Sequence, residues 1–198
     1  LENMTVFPQG GVSRRNGSRF VCEVKDSTAI TRLIPFEFNI TQAYVLEFGN
    51  NYIRFLKDNG QITEATKTIS GVTAANPAVV TATSHGYSDG DDVWIEGVVG
   101  MTRLNGRRFT VANKTTNTFQ LTGENSTSYT AWSSGGTASK AYQITTTYTS
   151  AELYDLQFTQ SADVMYIVHP DHPPAKLSRT AHTTWSLDDV DFTNGPYL

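Results

Sequence analysis

Cysteine is almost missing from this sequence: Cys22 is the single thiol in 198 residues. One thiol closes no intrachain disulfide, so the fold draws no stability from cross-links. The strand-like flanks Val21 and Glu23 predict a buried, inert sulfur. Charge is sparse as well. Asp, Glu, Lys and Arg make up 17% of the chain, and the net charge is −4. That balance excludes the basic footprint of general nucleic-acid binding. It leaves open a conduit through which DNA passes without being held. No apolar run approaches the roughly 20 residues of a membrane-spanning helix, and no signal-peptide pattern opens the chain. The Glu- and Lys-rich composition of surface helices is lacking too. Thr, Ser, Asn and Gly are abundant instead, which suits strands and turns. Leu1-Glu2-Asn3-Met4 reads as a trimmed start. Thr193-Asn194-Gly195-Pro196-Tyr197-Leu198 stops just after a turn signal, so a fragment of a larger protein is expected.

Hydrophobic residues at 38% permit a real but economical core. Pro8, Gly10 and Gly11, then Arg14-Arg15-Asn16-Gly17, predict an extended arm ending in a turn, followed by a strand over 19–24. Arg14 and Arg15 form a small basic spot, either a solvated turn or a subunit contact. Two alternating runs follow, over 30–39 and 42–48. In the second, Tyr44, Leu46 and Phe48 share one face, and Val45 and Glu47 the other. Gly49-Asn50-Asn51 turns the chain into Tyr52-Ile53-Arg54-Phe55-Leu56-Lys57, so 42–62 reads as a β-hairpin. Its edge, from Tyr44 to Phe55, is expected to be open for pairing with another subunit.

Short strands punctuated by Gly and Asn then run through 69–138, the texture of a small barrel or sandwich. After Ser139 a strand is expected over 142–147. A short helix is expected over 151–156, capped by Thr149 or Ser150 and with Glu152 at its positive end. Strands over 162–168, 176–180 and 184–190 complete the pattern, with Val164, Tyr166 and Val168 on one face. His169-Pro170-Asp171-His172-Pro173-Pro174 reads as a stiff turn. The expected fold is mainly β: a discontinuous domain of propeller-blade or sandwich-like sheets with one short helix, from residues 1–68 and 139–198. A β-barrel-like module, 69–138, is inserted between its halves.

Candidate chemistry is thin. Asp163, His169, Asp171 and His172 are the best metal-ligand group, but their spacing matches no established ligand pattern. Asp89, Asp91, Asp92 and Glu96 are the densest carboxylates. A glycosidase needs two facing across about 5–9.5 Å, whereas these sit at a turn and a strand entry, where solvated Asp is ordinary. No nucleophile elbow, phosphate-cradling loop or Cys–His pair is present. No catalytic, cofactor-binding or metal residue is therefore assigned, and no enzyme or cofactor is expected. Among the aromatics, Trp94, Tyr87, Tyr129, Trp132 and Phe119 could line a sugar-stacking face. Core packing is the default for most of them. Tyr129 and Trp132, in a polar loop, are the pair expected to touch a partner.

Two resemblances stand on ordered motifs. In the flanks these are Pro8-Gln9-Gly10-Gly11-Val12-Ser13-Arg14-Arg15, Gln42-Ala43-Tyr44-Val45-Leu46-Glu47-Phe48-Gly49 and Tyr52-Ile53-Arg54-Phe55. They continue with Asp155-Leu156-Gln157-Phe158-Thr159-Gln160-Ser161-Ala162-Asp163, Val164-Met165-Tyr166-Ile167-Val168-His169-Pro170 and Pro173-Pro174-Ala175-Lys176-Leu177. In this order they resemble the amino-terminal part of nozzle, or tail tubular, proteins of short-tailed bacteriophages. In the insert, the motifs are Ile69-Ser70-Gly71-Val72-Thr73, Asn76-Pro77-Ala78-Val79-Val80-Thr81, His85-Gly86-Tyr87-Ser88-Asp89-Gly90-Asp91, Leu104-Asn105-Gly106-Arg107-Arg108-Phe109-Thr110-Val111 and Asn117-Thr118-Phe119-Gln120-Leu121. This block resembles the first catalytic-cysteine half-domain of ubiquitin-activating enzymes. With no cysteine in 69–138, no thiol chemistry is implied.

The first resemblance implies a structural component of a phage or prophage virion, made in the bacterial host cytoplasm. It would assemble with copies of itself and neighbouring tail proteins into a ring, a hexamer if the likeness extends that far. DNA would pass through without specific binding, and no membrane would be involved. The alternative is a receptor- or glycan-binding adhesion module of a virion or cell surface.

Overall fold

The computed structural model describes residues 4–15, 17–18, 20–39 and 42–192. The turn position Asn16, the strand start expected at Arg19 and both chain ends, 1–3 and 193–198, lie outside the described residues. The fold is mainly β. Among the described residues no helix is long and apolar enough to cross a membrane.

The chain opens on a small antiparallel hairpin, β1 (Met4–Val6) and β2 (Val12–Arg14), with Met4 paired to Arg14. Its turn is tied by Phe7 N–H to Gly11 O (2.8 Å) and by Gly10 N–H to Phe7 O (3.0 Å). Every residue of both strands is exposed. Of the strand expected over 19–24, the described residues 20–24 form none. This stretch is a strap whose backbone bonds side chains of other elements instead of a neighbouring strand. Lys25 N–H donates to Glu47 Oε1 (3.0 Å), and Arg108 donates to the carbonyls of Glu23 (2.7 Å) and Val24 (3.2 Å). Cys22 within it is half-buried. Burial, with Glu47 next, pushes its thiol pKa up, away from reactivity.

Next come β3 (Arg32–Asn39), β4 (Gln42–Gly49), β5 (Tyr52–Lys57) and β6 (Gly60–Gln61). The hairpin reading holds: β4 and β5 pair from Val45↔Leu56 to Gly49↔Tyr52, turning at Asn51 with φ +62°. The expectation of an open edge there fails. β4 is bonded to β3 on its far side, and β5 is bonded to β6 over one half of its length and to a later strand over the other.

The sheet of the insert follows and runs past 69–138 at both ends: β7 (Lys67–Thr68), β8 (Gly71–Val72), β9 (Val79–Thr81), β10 (Asp92–Glu96), β11 (Arg107–Ala112), β12 (Thr118–Leu121) and β13 (Thr137–Lys140). They form one antiparallel sheet in the order β7-β13-β10-β11-β12-β9-β8. The ladder is open, so the barrel-like expectation is corrected to a curled sheet. Only Ile69 and Ser70 separate its two edge strands in sequence. Ile69 N–H bonds Gly136 O, and Ser70 N–H bonds Thr81 O (both 2.9 Å), so this short link draws the two rims together. Inside lie Val80, Val93, Ile95, Leu104, Val111, Phe119 and Leu121, fully or almost fully buried.

β14 (Gln143–Thr145) returns to pair with β5. The chain ends in a four-stranded meander: β15 (Gln157–Ser161), β16 (Val164–His169), β17 (His172–Ala181) and β18 (Thr184–Asp189). This sheet and the β14-β5-β4-β3 sheet share one core. Ile34, Phe36, Tyr44, Leu46, Phe48 and Phe55 meet Met165, Ile167, Leu177 and Trp185. Trp185 stacks on Phe55 at 4.3 Å and stands edge-on to Phe36 at 4.9 Å and Tyr44 at 5.4 Å. The face carrying Tyr166 and Val168 is the outer one, and Met165 and Ile167 point inward. Pro173 and Pro174 belong to β17, so the stiff turn shrinks to Pro170 and Asp171.

The helix expected over 151–156 is also absent. Residues 150–155 form successive turns, with Glu152 N–H bonding Thr149 O (3.1 Å) and Asp155 N–H bonding Glu152 O (3.0 Å). The cap itself exists in inverted form: Glu152 Oε2 accepts from both the amide (2.7 Å) and the hydroxyl (2.8 Å) of Thr149. Six residues give too few helical bonds to offset nucleation, and the turns bury Leu153 and Leu156 in the shared core. The one helical element among the described residues is a 3-10 turn, Thr102–Leu104.

Candidate binding groove

The strap, the body sheet and the insert meet in a buried polar junction. Arg54 on β5 and Asp92 on β10 form an ion pair at 2.7 Å, with both side chains almost fully buried. Asp92 Oδ1 also accepts from Thr110 (3.1 Å), and Arg108 approaches its other oxygen at 3.9 Å. Arg54 Nε and Lys25 Nζ both donate to Gln143 Oε1 at 3.2 Å. Tyr52 donates to Glu47 Oε1 at 2.7 Å. Burial and that bond raise the Tyr52 phenol far above its usual range, so it stays a neutral donor. Burial lowers the Lys25 ammonium pKa, and the Arg54 charge lowers it further.

Beside this junction a groove of ≈ 1050 Å³ runs over the outer face of the insert. Strand alternation builds its floor. Val93 and Ile95 turn inward, so Asp92, Trp94 and Glu96 turn outward. Trp94 is 37% exposed and lies opposite Arg108 on one side and Ser139 on the other. Its indole Nε1–H donates to Glu96 Oε1 at 2.6 Å. The strap from Phe20 to Glu23 forms one wall, and the β5–β6 turn with Asn59 and Gln61 lines the groove too. At one end Arg107 grips Glu124 through two bonds of 2.8 and 2.7 Å. Tyr129 donates to the same carboxylate at 2.6 Å. The Arg107 bonds hold the Glu124 pKa below the usual carboxylate range against the opposing effect of burial.

The sequence-derived candidates fall elsewhere. Asp163 is held by Arg179 at 2.9 Å. His169 and His172 lie with ring centroids 5.0 Å apart, and His172 contacts Glu152 at 3.2 Å. Asp171 offers its amide to His169 Nδ1 (3.1 Å). Among the described residues no group of three or more His, Cys, Asp or Glu is placed to hold a metal ion. The acidic group also disperses. Asp89 accepts from the Lys114 amide (3.0 Å) and Asp91 from the Ser88 amide (2.7 Å), while Asp92 is locked to Arg54. Asp92 and Glu96 are four positions apart on β10, about 13 Å along the strand.

The aromatics divide likewise. Tyr87 and Phe119 are core, and Tyr129 and Trp132 pack half-buried against that core. Tyr129 is engaged by Glu124, and Trp132 Nε1–H donates to Gly135 O (3.0 Å). The loop pair is therefore turned inward, and Trp94 is the aromatic on the outer face. Arg14 is exposed at the end of β2, with Arg15 beside it. Sequence reasoning missed Arg54, Glu47 and Gln143. The available signal was a charge amid apolar residues, as in Tyr52-Ile53-Arg54-Phe55-Leu56.

No curated protein matches the chain. Residues 75–141, which carry Trp94 and most of the curled sheet, match the family model of the ubiquitin-activating enzyme E1 FCCH domain.

Proposed function

We propose that this chain is a non-catalytic structural part of a phage or prophage tail protein of the hub or nozzle type. Several copies assemble into a ring that forms part of the DNA exit path. The observation that carries this reading is the single core shared by the two flanking motif sets. Tyr44, Leu46, Phe48 and Phe55 precede the insert, and Met165, Ile167 and Leu177 follow it. The ordered flanking motifs that resemble tail nozzle proteins thus belong to one folded body, with the FCCH-like sheet as an insertion.

The exposed arm supports assembly. Val6 is 62% exposed, and Met4, Phe7 and Val12 are exposed beside it. A lone two-stranded hairpin is marginal in water, and contiguous exposed apolar surface commonly marks an interaction site. The arm therefore carries the assembly contact without the β4–β5 edge, which is already paired within the chain. Neighbouring tail proteins are the other partners. DNA passes without specific binding, as the net charge of −4 accords with. The protein acts in the virion, without cofactor or membrane.

Electron microscopy of virions carrying a label in the insert tests the reading. Density at the distal tail is expected, and a label on the capsid or free of particles overturns it.

A further inference from the structure

We infer that the groove over Trp94 is a binding site for a neutral oligosaccharide. The indole is a prepared platform. Its N–H is already bonded to Glu96 at 2.6 Å, which fixes the ring and satisfies its one donor, leaving a partly open aromatic surface. A pre-set flat apolar surface loses little entropy on binding, and the C–H face of a pyranose is its natural complement. Hydroxyl recognition needs polar groups nearby. Glu96, Asn59 and Gln61 line the same groove.

The charges present disfavour other ligands. Arg107 is closed by Glu124, and Arg108 by the carbonyls of Glu23 and Val24, so among the described residues the cations lining the groove are committed. A peptide adding itself as a strand would need an open edge, and β10 is paired on both sides, to β11 and β13. The volume of ≈ 1050 Å³ is at the upper end of ligand clefts, about 300–1,000 Å³. That size suits several sugar units rather than one.

The test is the whole chain on a printed array of neutral tri- to hexasaccharides built from hexoses, N-acetylhexosamines and deoxyhexoses, with titration of every hit. Saturable binding to at least one structure is expected, with affinity lowered by about tenfold or more in Trp94→Ala. No loss is expected in Trp132→Ala. Trp94→Thr, which removes the ring but favours a strand, serves if the alanine variant fails to fold. Silence across the array overturns the inference. So does parental binding by both Trp94 variants, or binding lost on Trp132→Ala and kept without Trp94. A peptide array that binds where the sugars do not also overturns it. Binding is read on the isolated chain, so its failure leaves the tail location standing, and a misplaced virion label leaves the sugar site standing.

Discussion

Arg54 and Asp92 meet at 2.7 Å with both side chains buried, one on the body sheet and the other on the insert. The pair fastens two hydrophobic cores that are otherwise separate clusters. Removing Arg54 leaves the buried Asp92 carboxylate with only a more distant cation, Arg108 at 3.9 Å. Arg54→Met is therefore expected to cost about 3–5 kcal/mol, while Arg54→Met with Asp92→Leu recovers most of that. Urea unfolding of both singles and the double variant measures the coupling. Additive losses would show that the pair contributes nothing as a pair.

Glu124 supplies a pH dependence. Its pKa in the fold lies below the ordinary value of 4.5, first because of the Arg107 hydrogen bonds. A depressed carboxyl contributes stability that is fully present above its unfolded pKa and disappears as pH falls through the folded value. Glu124→Gln is expected to lose about 1–2 kcal/mol at pH 7, the low end for charged hydrogen bonds because Arg107 is half exposed. The difference between variant and parent should shrink as pH drops below 4.5. A gap constant from pH 7 to pH 3 would assign the loss to packing.

The sequence disclosed what is local and concealed what is distant. Tyr44, Leu46 and Phe48 were legible as one face because strand alternation is a property of adjacent residues. Glu47 and Arg54 were not, since solvated charge is the usual meaning of such residues on a strand's second face. Here the strap and the insert cover that face, through contacts such as Arg108 to Glu23, 85 positions apart. The strap itself read as a strand because its composition permits one. Its backbone partners are side chains, which no periodicity reveals. Alternation with Val93 and Ile95 sets Trp94 on one of two strand faces without saying which is the outer one. Its distinction from Tyr129 and Trp132 required the Glu124 and Gly135 contacts that turn the loop pair inward.

Two glycines of the insert should respond unequally to the same change. Gly100 has φ +85°, and a Cβ there would collide with the Ala131 carbonyl oxygen and meet Ser133 N at 3.0 Å. Both contacts are backbone, in a loop pinned by Val99 N–H to Ser134 O (2.9 Å) and Ser133 N–H to Val99 O (3.0 Å). Gly123 has φ +72° with nothing within 4 Å of the same position. Gly123→Ala should cost about 1 kcal/mol from the left-handed backbone alone. Gly100→Ala adds overpacking, for about 2–4 kcal/mol in all. Thermal unfolding of the two variants checks the order, and equal losses would refute the close approach.

The edge of β3 is guarded, and the guard can be removed. Glu37 N–H donates to Gln160 Oε1 (3.1 Å), and Gln160 Nε2 donates to Glu37 O (3.0 Å), so a side-chain amide occupies the place of a neighbouring strand. Two residues back along the same strand, Pro35 stands in register with Val45 and offers no N–H. An edge lacking one donor and with another already bonded is a poor template for strand addition. Pro35→Thr with Gln160→Thr restores a donor and frees Glu37, while Leu33 and Val45 remain exposed nearby. The double variant is expected to self-associate with rising concentration in sedimentation velocity, more than either single change and more than the parent. Unchanged sedimentation would mean that other features keep this edge apart. Growth of oligomers in Gln160→Thr alone would make the amide clamp, rather than the proline, the principal guard.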